Sequence, residues 1–280
     1  MNPKIWFVTG CSTGFGRHIA LAALAHGDNV VVTARRPETI ADICEQYPQQ
    51  TLALALDVTD AHQIDAAVSS AIGHFGAIDV LVNNAGYGYV GAIEEGEEAA
   101  VRQLFETNFF GVLALTKAVL PHMRQRGRGV ILNNSSQAGL MANPGTGYYS
   151  ASKYALEGLM EALSKEVAPF GIKVCSVQPG AFRTDWSGRS MQRTQTPIDA
   201  YHGHVGSRLD MIGEMDGKQP GDPVQAAQVF IDLAYMDEPP TQLLLGAGVL
   251  STYREKLTAT EQSLDAWEAV TQGVDFAPGE

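Results

Sequence analysis

The sequence predicts an α/β fold, a doubly wound and mostly parallel β-sheet with helices on both faces. Three observations predict it. Seven short apolar runs rich in β-branched residues recur along the chain, with helical patterns between most of them. The runs are continuously apolar rather than alternating, as expected of strands buried on both faces. A glycine-rich turn joins the first run directly to the first helical stretch, the arrangement that opens a doubly wound sheet.

The elements follow in order. Ile5–Thr9 is the first strand, and Arg17–Ala25 has helical composition. Asn29–Thr33 is the second strand, Thr51–Leu56 the third, Ile78–Val82 the fourth and Gly129–Leu132 the fifth. A helix begins near Tyr148, Ile172–Val177 is the sixth strand and Gln242–Leu245 the seventh. Right-handed crossovers through the helices then place the strands parallel. No linker, repeat or low-complexity segment interrupts the pattern, so residues 1–280 are expected to be one domain. Residues 185–223 differ in texture, being rich in Gly, Met, Arg and polar residues without a period, and are expected to form a substrate lid. Residues 251–280 are polar and helical in pattern and form a C-terminal extension.

Composition excludes several classes of function. A formal net charge of -12 repels nucleic acid. The densest basic cluster, Arg124, Arg126 and Arg128, lies beside Gly127 and Gly129 and reads as a solvated turn. Cys11, Cys44 and Cys175 show no metal-ligand spacing, so no metal site is expected, and such sparse cysteine usage suits a reducing compartment. No secretory signal opens the chain, and no stretch approaches the ~20 apolar residues of a membrane span. A cytoplasmic protein is expected.

The first turn reads Thr9-Gly10-Cys11-Ser12-Thr13-Gly14-Phe15-Gly16, a G-x-x-x-G-x-G spacing. Glycines permit the tight turn and the approach of backbone to a pyrophosphate, and the helix N-terminus offers free N–H groups to it. A plain tight turn is the alternative. The second strand carries no acid at its end to accept from a ribose 2′-OH. Arg35 and Arg36 stand there instead, and guanidinium suits a 2′-phosphate. NADP(H) is therefore expected over NAD(H), unless both arginines merely face solvent. Arg17 either helps neutralise phosphate or is a solvated first-turn residue. Asp57, followed by Val58, closes the third strand and either accepts from an adenine amino group or caps a helix, a role for which Thr59 and Asp60 compete. Asn84, Ala85 and Gly86 close the fourth strand with small residues that let backbone pass near the adenosine ribose.

Tyr149 and Lys153 stand at i and i+4 and share a helix face. A free tyrosine titrates near pH 10, too high for proton exchange at neutral pH, and a nearby ammonium lowers it. Ser136 ends the fifth strand, at the carboxyl edge where parallel sheets bind ligands, and can hydrogen-bond a carbonyl oxygen. Asn108 is a polar residue in an apolar helical stretch and needs partners there, a relay water toward Lys153 among them.

Taken together, Thr9–Gly16, Asn83-Asn-Ala-Gly86, Asn108, Ser136, Tyr149-Ser-Ala-Ser-Lys153 and Pro179-Gly180 resemble the ordered motif set of the short-chain dehydrogenase/reductase family. The resemblance runs from about Ile5 to about Thr184, with a weaker match at Leu243–Gly246. Each motif is modest alone, and their joint order and spacing carry the likeness. It implies a seven-stranded Rossmann sheet, Tyr149 as general acid/base, Ser136 polarising the substrate oxygen, and Lys153 tuning Tyr149 and binding the nicotinamide ribose. It also implies Asn108 completing the tetrad, Pro179, Gly180 and Thr184 lining the nicotinamide, and a homodimer or homotetramer. The expected activity is NADP(H)-dependent interconversion of a carbonyl and an alcohol on a small molecule. Tyr89, Gln137, Met141, Asn143, Phe182, Trp186 and Met191 are candidates for the pocket lining and favour an apolar substrate, although the methionines serve equally as lid packing. Two other classes share these motifs: a non-catalytic NADP(H)-binding regulator, and a lyase or epimerase without net redox.

Overall fold

The computed structural model describes residues 3–276 and shows nine strands among them. They are β1 (Ile5–Val8), β2 (Asn29–Ala34), β3 (Thr51–Ala55), β4 (Val80–Asn83), β5 (Gly88–Val90), β6 (Gly129–Asn134), β7 (Ile172–Pro179), β8 (Met191–Arg193) and β9 (Gln242–Leu245). The seven strands expected from sequence form one all-parallel sheet in the order β3-β2-β1-β4-β6-β7-β9. The helices are α1 (Gly14–His26), α2 (Ala41–Gln46), α3 (Ala61–Phe75), α4 (Glu98–Phe105), α5 (Gly111–Arg126), α6 (Gly147–Val167), α7 (Asp199–Tyr201), α8 (Ser207–Glu214), α9 (Pro223–Tyr235) and α10 (Ala247–Gln272).

Successive strand residues face opposite ways, and each face meets its own helical layer. Trp6, Val8, Val30, Val32, Val80, Val82, Val130 and Leu132 pack with Ile19 and Leu24 of α1, Ile43 of α2 and Phe230 of α9. Phe7, Val31, Leu81 and Ile131 pack with Ile64 of α3, Leu115 of α5 and Leu156 of α6. Full burial of each such side chain contributes roughly 1.5–3 kcal/mol, which explains why the runs are apolar throughout.

Ladder pairing extends β6 and β7 two residues beyond the expected ends, through Asn134 paired with Val177 and Pro179 paired with Leu245. The added residues are polar or cyclic, so hydropathy does not announce them. The first helix starts at Gly14, three positions before the expected Arg17, because the last two glycines of the turn already lie in it.

Residues 185–223 have regular structure of their own. β8 pairs with β5 in a small separate sheet, and Val205 and Leu209 pack with Val90 and Ala92. Two carboxylates hold this segment. Glu95 accepts from the Ile198 amide at 2.9 Å, while Glu97 accepts from the Gln195 amide at 2.8 Å and from the hydroxyls of Tyr89, Thr194 and Thr196.

The basic cluster is not the expected solvated turn alone: Arg124 and Arg126 lie in the last turn of α5, where Arg126 pairs with Asp79 at 2.8 Å beside the start of β4, while Arg124 and Arg128 are exposed. Among the described residues no helix is long and apolar enough to cross a membrane, and no group of three His, Cys, Asp or Glu gathers for a metal.

Candidate active site

From β1 the chain winds outward through β2 and β3, then returns to β4 on the other side of β1. Ligands of open α/β sheets bind at such a reversal, outside the carboxyl ends of the strands. The glycine turn after β1 and the Asn83–Gly86 loop after β4 meet there. Thr9 Oγ1 accepts from the amides of Asn84 and Ala85 at 2.8 and 2.9 Å. The Asn84 side chain donates back to the carbonyls of Thr9 and Gly10 and accepts from Asn134. Asn84 is thus a strut that ties three strand ends together.

The turn needs its glycines. Gly10 and Gly14 have φ of +71° and +57°, left-handed conformations that cost an L-residue about 1–2 kcal/mol. Gly16 adopts no such conformation, but a Cβ there would run into the Gly10 carbonyl and the Asn84 amide. α1 begins with no side-chain cap on its N-terminus and no acid in its first turn, which leaves N–H groups and positive potential for an anion. Ser12 and Phe15 are half-buried beside it, and Phe15 stacks obliquely on Phe182 at 5.2 Å. Thr184 lies over Gly14, 3.6 Å from where a Cβ would stand. Arg189 donates to Thr13 Oγ1 at 2.7 Å, so residues of the 185–223 segment also reach this turn.

Arg35 and Arg36 are both exposed at the end of β2, with Glu38 3.9 Å from Arg36. Arg17 is ion-paired with the exposed Asp42. The competition at the third strand is resolved: Asp60 caps α3, accepting from His62 and Gln63, while Asp57 accepts from the amide and hydroxyl of Thr59. Val58 is buried, and its carbonyl and side chain close against Gly111.

At the other half of the sheet edge, Ser136 and Tyr149 converge. Ser136 caps a short 3-10 turn, its Oγ accepting from the Ala138 amide at 3.1 Å. Accepting that bond leaves the hydroxyl proton to donate outward. Tyr149 is buried in the first turn of α6. Burial pushes its phenol up to about 12, partly offset by the Ser136 and Trp186 side chains beside it. Lys153 stands one turn further along, its Nζ 5.9 Å from the Tyr149 ring centre and donating to the Asn134 carbonyl at 3.0 Å. Burial lowers the ammonium to about 8, opposed by the charge of Glu157. Burial thus moves the two groups in opposite directions, the phenol up and the ammonium down.

Asn108 is fully buried in a π-helical turn, Glu106–Phe110, between α4 and α5. Its amide accepts from the Tyr87 N–H at 3.1 Å and donates to the Tyr87 carbonyl and Ser152 Oγ at 2.9 and 3.2 Å. These bonds hold the Gly86–Tyr87 backbone, and Asn108 Oδ1 lies 3.0 Å from where a Gly86 Cβ would stand. Pro179 pairs with Leu245 at the end of β7, and the Gly180 amide donates to the Leu245 carbonyl at 3.0 Å.

The expected pocket residues divide. Trp186 lies on Tyr149, 5.3 Å between rings, and Gln137 follows Ser136. Met141 is half-buried and Asn143 exposed. Tyr89 and Met191 serve packing, Tyr89 buried and bonded to Glu97, Met191 against the Val90 and Val205 cluster. Phe182 covers the glycine turn. Sequence reasoning missed Glu157, which accepts from Gln178 and Gln242 at 2.9 and 3.1 Å. Its signal was present: it continues the i, i+4 spacing of Tyr149 and Lys153. Arg189 had no such signal. Cys11 is buried, and burial pushes its thiol up to about 12, away from the thiolate form.

This sheet edge brings together a glycine turn with an uncapped helix terminus and a buried tyrosine beside Ser136 and Lys153. The chain belongs to the short-chain dehydrogenase family, whose model matches residues 4–195. It is 37% identical to oxidoreductase BOA17 of Botryotinia fuckeliana over 269 residues, 96% of this chain and 98% of the relative. It is 46% identical over 188 residues to a 3-ketodihydrosphingosine reductase of Bacteroides thetaiotaomicron, 67% of each chain. A short-chain dehydrogenase structure from Streptomyces avermitilis superimposes with a TM-score of 0.92 at 43% identity, covering 98% of this chain and 100% of that one. The structure of ElxO with NADP bound matches with a TM-score of 0.74 at 28% identity, covering 89% of this chain and 100% of that one.

Proposed function

We propose that the protein is an NADP(H)-dependent oxidoreductase that interconverts a ketone or aldehyde with its alcohol, Tyr149 acting as general acid/base. The observation that carries this is the buried Tyr149 phenol, set beside Ser136 and Trp186 with Lys153 one turn away. A nicotinamide, when bound, would supply the hydride. Ser136 donates a hydrogen bond to the carbonyl oxygen, and Tyr149 protonates that oxygen as negative charge develops on it. Lys153 would stabilise the phenolate left at Tyr149 and would hold the nicotinamide ribose, while Asn108 fixes the backbone beside them.

The turn fits a dinucleotide, since its left-handed glycines and uncapped helix leave room and N–H groups for the pyrophosphate. Gly10, Ser12, Thr13, Gly14, Phe15 and Gly16 would hold the pyrophosphate end. Asp57 and Val58 would hold the adenine, and Asn84, Ala85 and Gly86 the adenosine ribose. Pro179, Gly180 and Thr184 would flank the nicotinamide. Arg35 and Arg36 are the basis for NADP(H), because a carboxylate that would repel a 2′-phosphate is missing from that strand end. Residues 185–223 act as the lid, and Trp186 with Met141 favours an apolar substrate. A relative named for reducing a 3-keto compound agrees with carbonyl reduction. The three unpaired cysteines suit a reducing compartment, and cytoplasmic location is part of the reading.

Two titrations test it. NADPH and NADH binding are followed by fluorescence in the wild type and in Arg35→Ala; a preference for NADPH, lost in the variant, is expected. Equal NADH binding in the wild type would make the arginines loop charges only. Oxidation of the reduced cofactor is then followed with a panel of apolar ketones and aldehydes. Tyr149→Phe should lower turnover by about 10²–10⁴-fold with binding unchanged. Near-normal turnover in that variant overturns the assignment, and tight binding without turnover on any substrate favours a regulator.

A further inference from the structure

Lys153 is the one lysine or arginine that is buried among the described residues. Its Nζ donates to the Asn134 carbonyl, at the end of β6. A carbonyl oxygen accepts from the ammonium but carries no full charge to balance it. An unbalanced buried cation is driven to lose its proton. A neutral amine at Lys153 would do little for a phenolate at Tyr149.

A balancing charge lies one turn further along α6. Glu157 is buried, and it follows Lys153 at the spacing by which Lys153 follows Tyr149, so the three form one stripe on the helix. Gln178 of β7 and Gln242 of β9 both donate to Glu157 Oε2, at 2.9 and 3.1 Å. Two amide donors on one oxygen favour the carboxylate over the acid. The other oxygen, Oε1, is buried without a hydrogen-bond partner, as is Ser135 Oγ. A carboxylate so placed needs a positive charge near it, and Lys153 is the buried cation at hand. These groups close on a glycine. A Cβ at Gly139 would stand 2.9 Å from Glu157 Cγ, 3.1 Å from Ser135 Oγ and 3.2 Å from the Lys153 carbonyl. Gly139 ends the short turn that Ser136 caps, so Glu157 also packs against the turn that carries Ser136.

We propose that Glu157 is a positioning residue for the reaction, a fixed counter-charge that keeps Lys153 protonated without drawing it away from Tyr149. This rests on the reading of Tyr149 and Lys153 as the pair that handles the proton. The two charges are held apart. Lys153 Nζ is taken by Asn134, while Gln178 and Gln242 draw the carboxylate toward β7 and β9. A contact ion pair would occupy the donors of the ammonium. A carboxylate one turn away leaves them free and acts through buried, poorly screened space. Burial lowers the ammonium to about 8, and the Glu157 charge opposes that fall. Few other titratable groups bear on the pair. Tyr149 and Cys175 of β7 are each pushed up to about 12 by burial, so both are neutral where Lys153 titrates. Glu98 and Arg102 of α4, Glu106 of the π-helical turn and Glu161 of α6 are exposed.

Glu157→Gln in the full chain tests this, since Gln keeps the shape and an acceptor for Gln178 and removes only the charge. The first readout does not depend on catalysis. With lysine labelled by carbon-13 at Cε, the NMR titration of Lys153 is assigned by its loss in Lys153→Arg. It should fall near pH 8 in the wild type and at least about one pH unit lower in Glu157→Gln. The second readout is the rate of carbonyl reduction against pH. The wild-type rate should decline above about pH 8. The decline in the variant should begin at least about one unit earlier, with the rate recovering toward the wild type as pH falls. A role in packing alone predicts a uniform drop, or none, with the profile unmoved. An unmoved Lys153 titration overturns the proposal. A titration that moves while the alkaline limb of the rate stays in place also overturns it. A wild type that reduces no ketone or aldehyde refutes the proposed function and the positioning role with it, while the titration still decides whether Glu157 sets the charge of Lys153.

Discussion

Tyr149 and Lys153 share one face of α6, yet burial drives the phenol up to about 12 and the ammonium down to about 8. Under the proposed mechanism the pH dependence follows. Reduction needs protonated Tyr149, and with burial pushing the phenol up to about 12 its rate should be flat between about pH 6 and 8. Oxidation needs the phenolate and should climb by up to about tenfold per pH unit until another step limits it. Rate profiles in both directions check this, and a reduction rate that rises with pH would contradict it. Glu157, one further turn along α6, is raised by burial while Ser135, Gln178, Gln242 and Lys153 pull it down. A raised acid costs stability as pH climbs from its unfolded value through its folded one. Glu157→Gln keeps an acceptor for Gln178 and removes the buried charge, so at pH 7 it should be as stable as the wild type or more so. Glu157→Leu strands two amide donors and should cost about 1–3 kcal/mol for each that stays dry. Urea denaturation of both variants measures the difference.

At the scale of elements, the glycine turn and the 185–223 segment rely on different physics. Gly14→Ala meets only backbone strain, about 1–2 kcal/mol, since Thr184 leaves room for a Cβ. Gly16→Ala drives a Cβ into the Gly10 carbonyl and should cost more and displace the turn. Thermal melts, with dinucleotide affinity measured alongside, rank the two, and an equal cost would show that the turn yields freely. The 185–223 segment hangs on Glu97, whose carboxyl is held down at about 2 by the Tyr89 hydroxyl and the donors of residues 194–196. A lowered acid contributes above its unfolded value and loses that contribution as pH falls toward the folded one. This latch therefore stays ionised from about pH 4 upward. Glu97→Leu should make residues 190–200 markedly more sensitive to limited proteolysis at neutral pH, and unchanged cleavage would show that the β5–β8 pairing suffices.

For the whole molecule, the turn, the Asn84 strut and the ends of β1, β4 and β6 form one connected unit, so ligand binding there reports on global stability. A dinucleotide at about 100 times its Kd should add about 2.7 kcal/mol, a rise in melting temperature of several degrees for a chain of this size. NADPH should give a larger rise than NADH at equal concentration. The reverse order would undo the reading of Arg35 and Arg36.

The sequence by itself determined the sheet, because strands buried on both faces must be apolar throughout, and β9 falls at its expected limits. It also determined the positions of Gly10, Gly14, Ser136, Tyr149 and Lys153, since a left-handed turn and an i, i+4 pair are local constraints written into residue type and spacing. Only the tertiary structure decided what depends on distant partners. The 185–223 segment has no period because Glu95 and Glu97, about a hundred positions earlier, hold it through backbone amides and hydroxyls. Asn108 proved to be a clamp on Tyr87, and Arg17 a partner of Asp42, through contacts that no local pattern encodes. The opposite shifts of Tyr149 and Lys153 come from burial, a property of the assembled fold. Spacing specifies which groups meet along a helix, whereas the surrounding packing specifies how much water they keep.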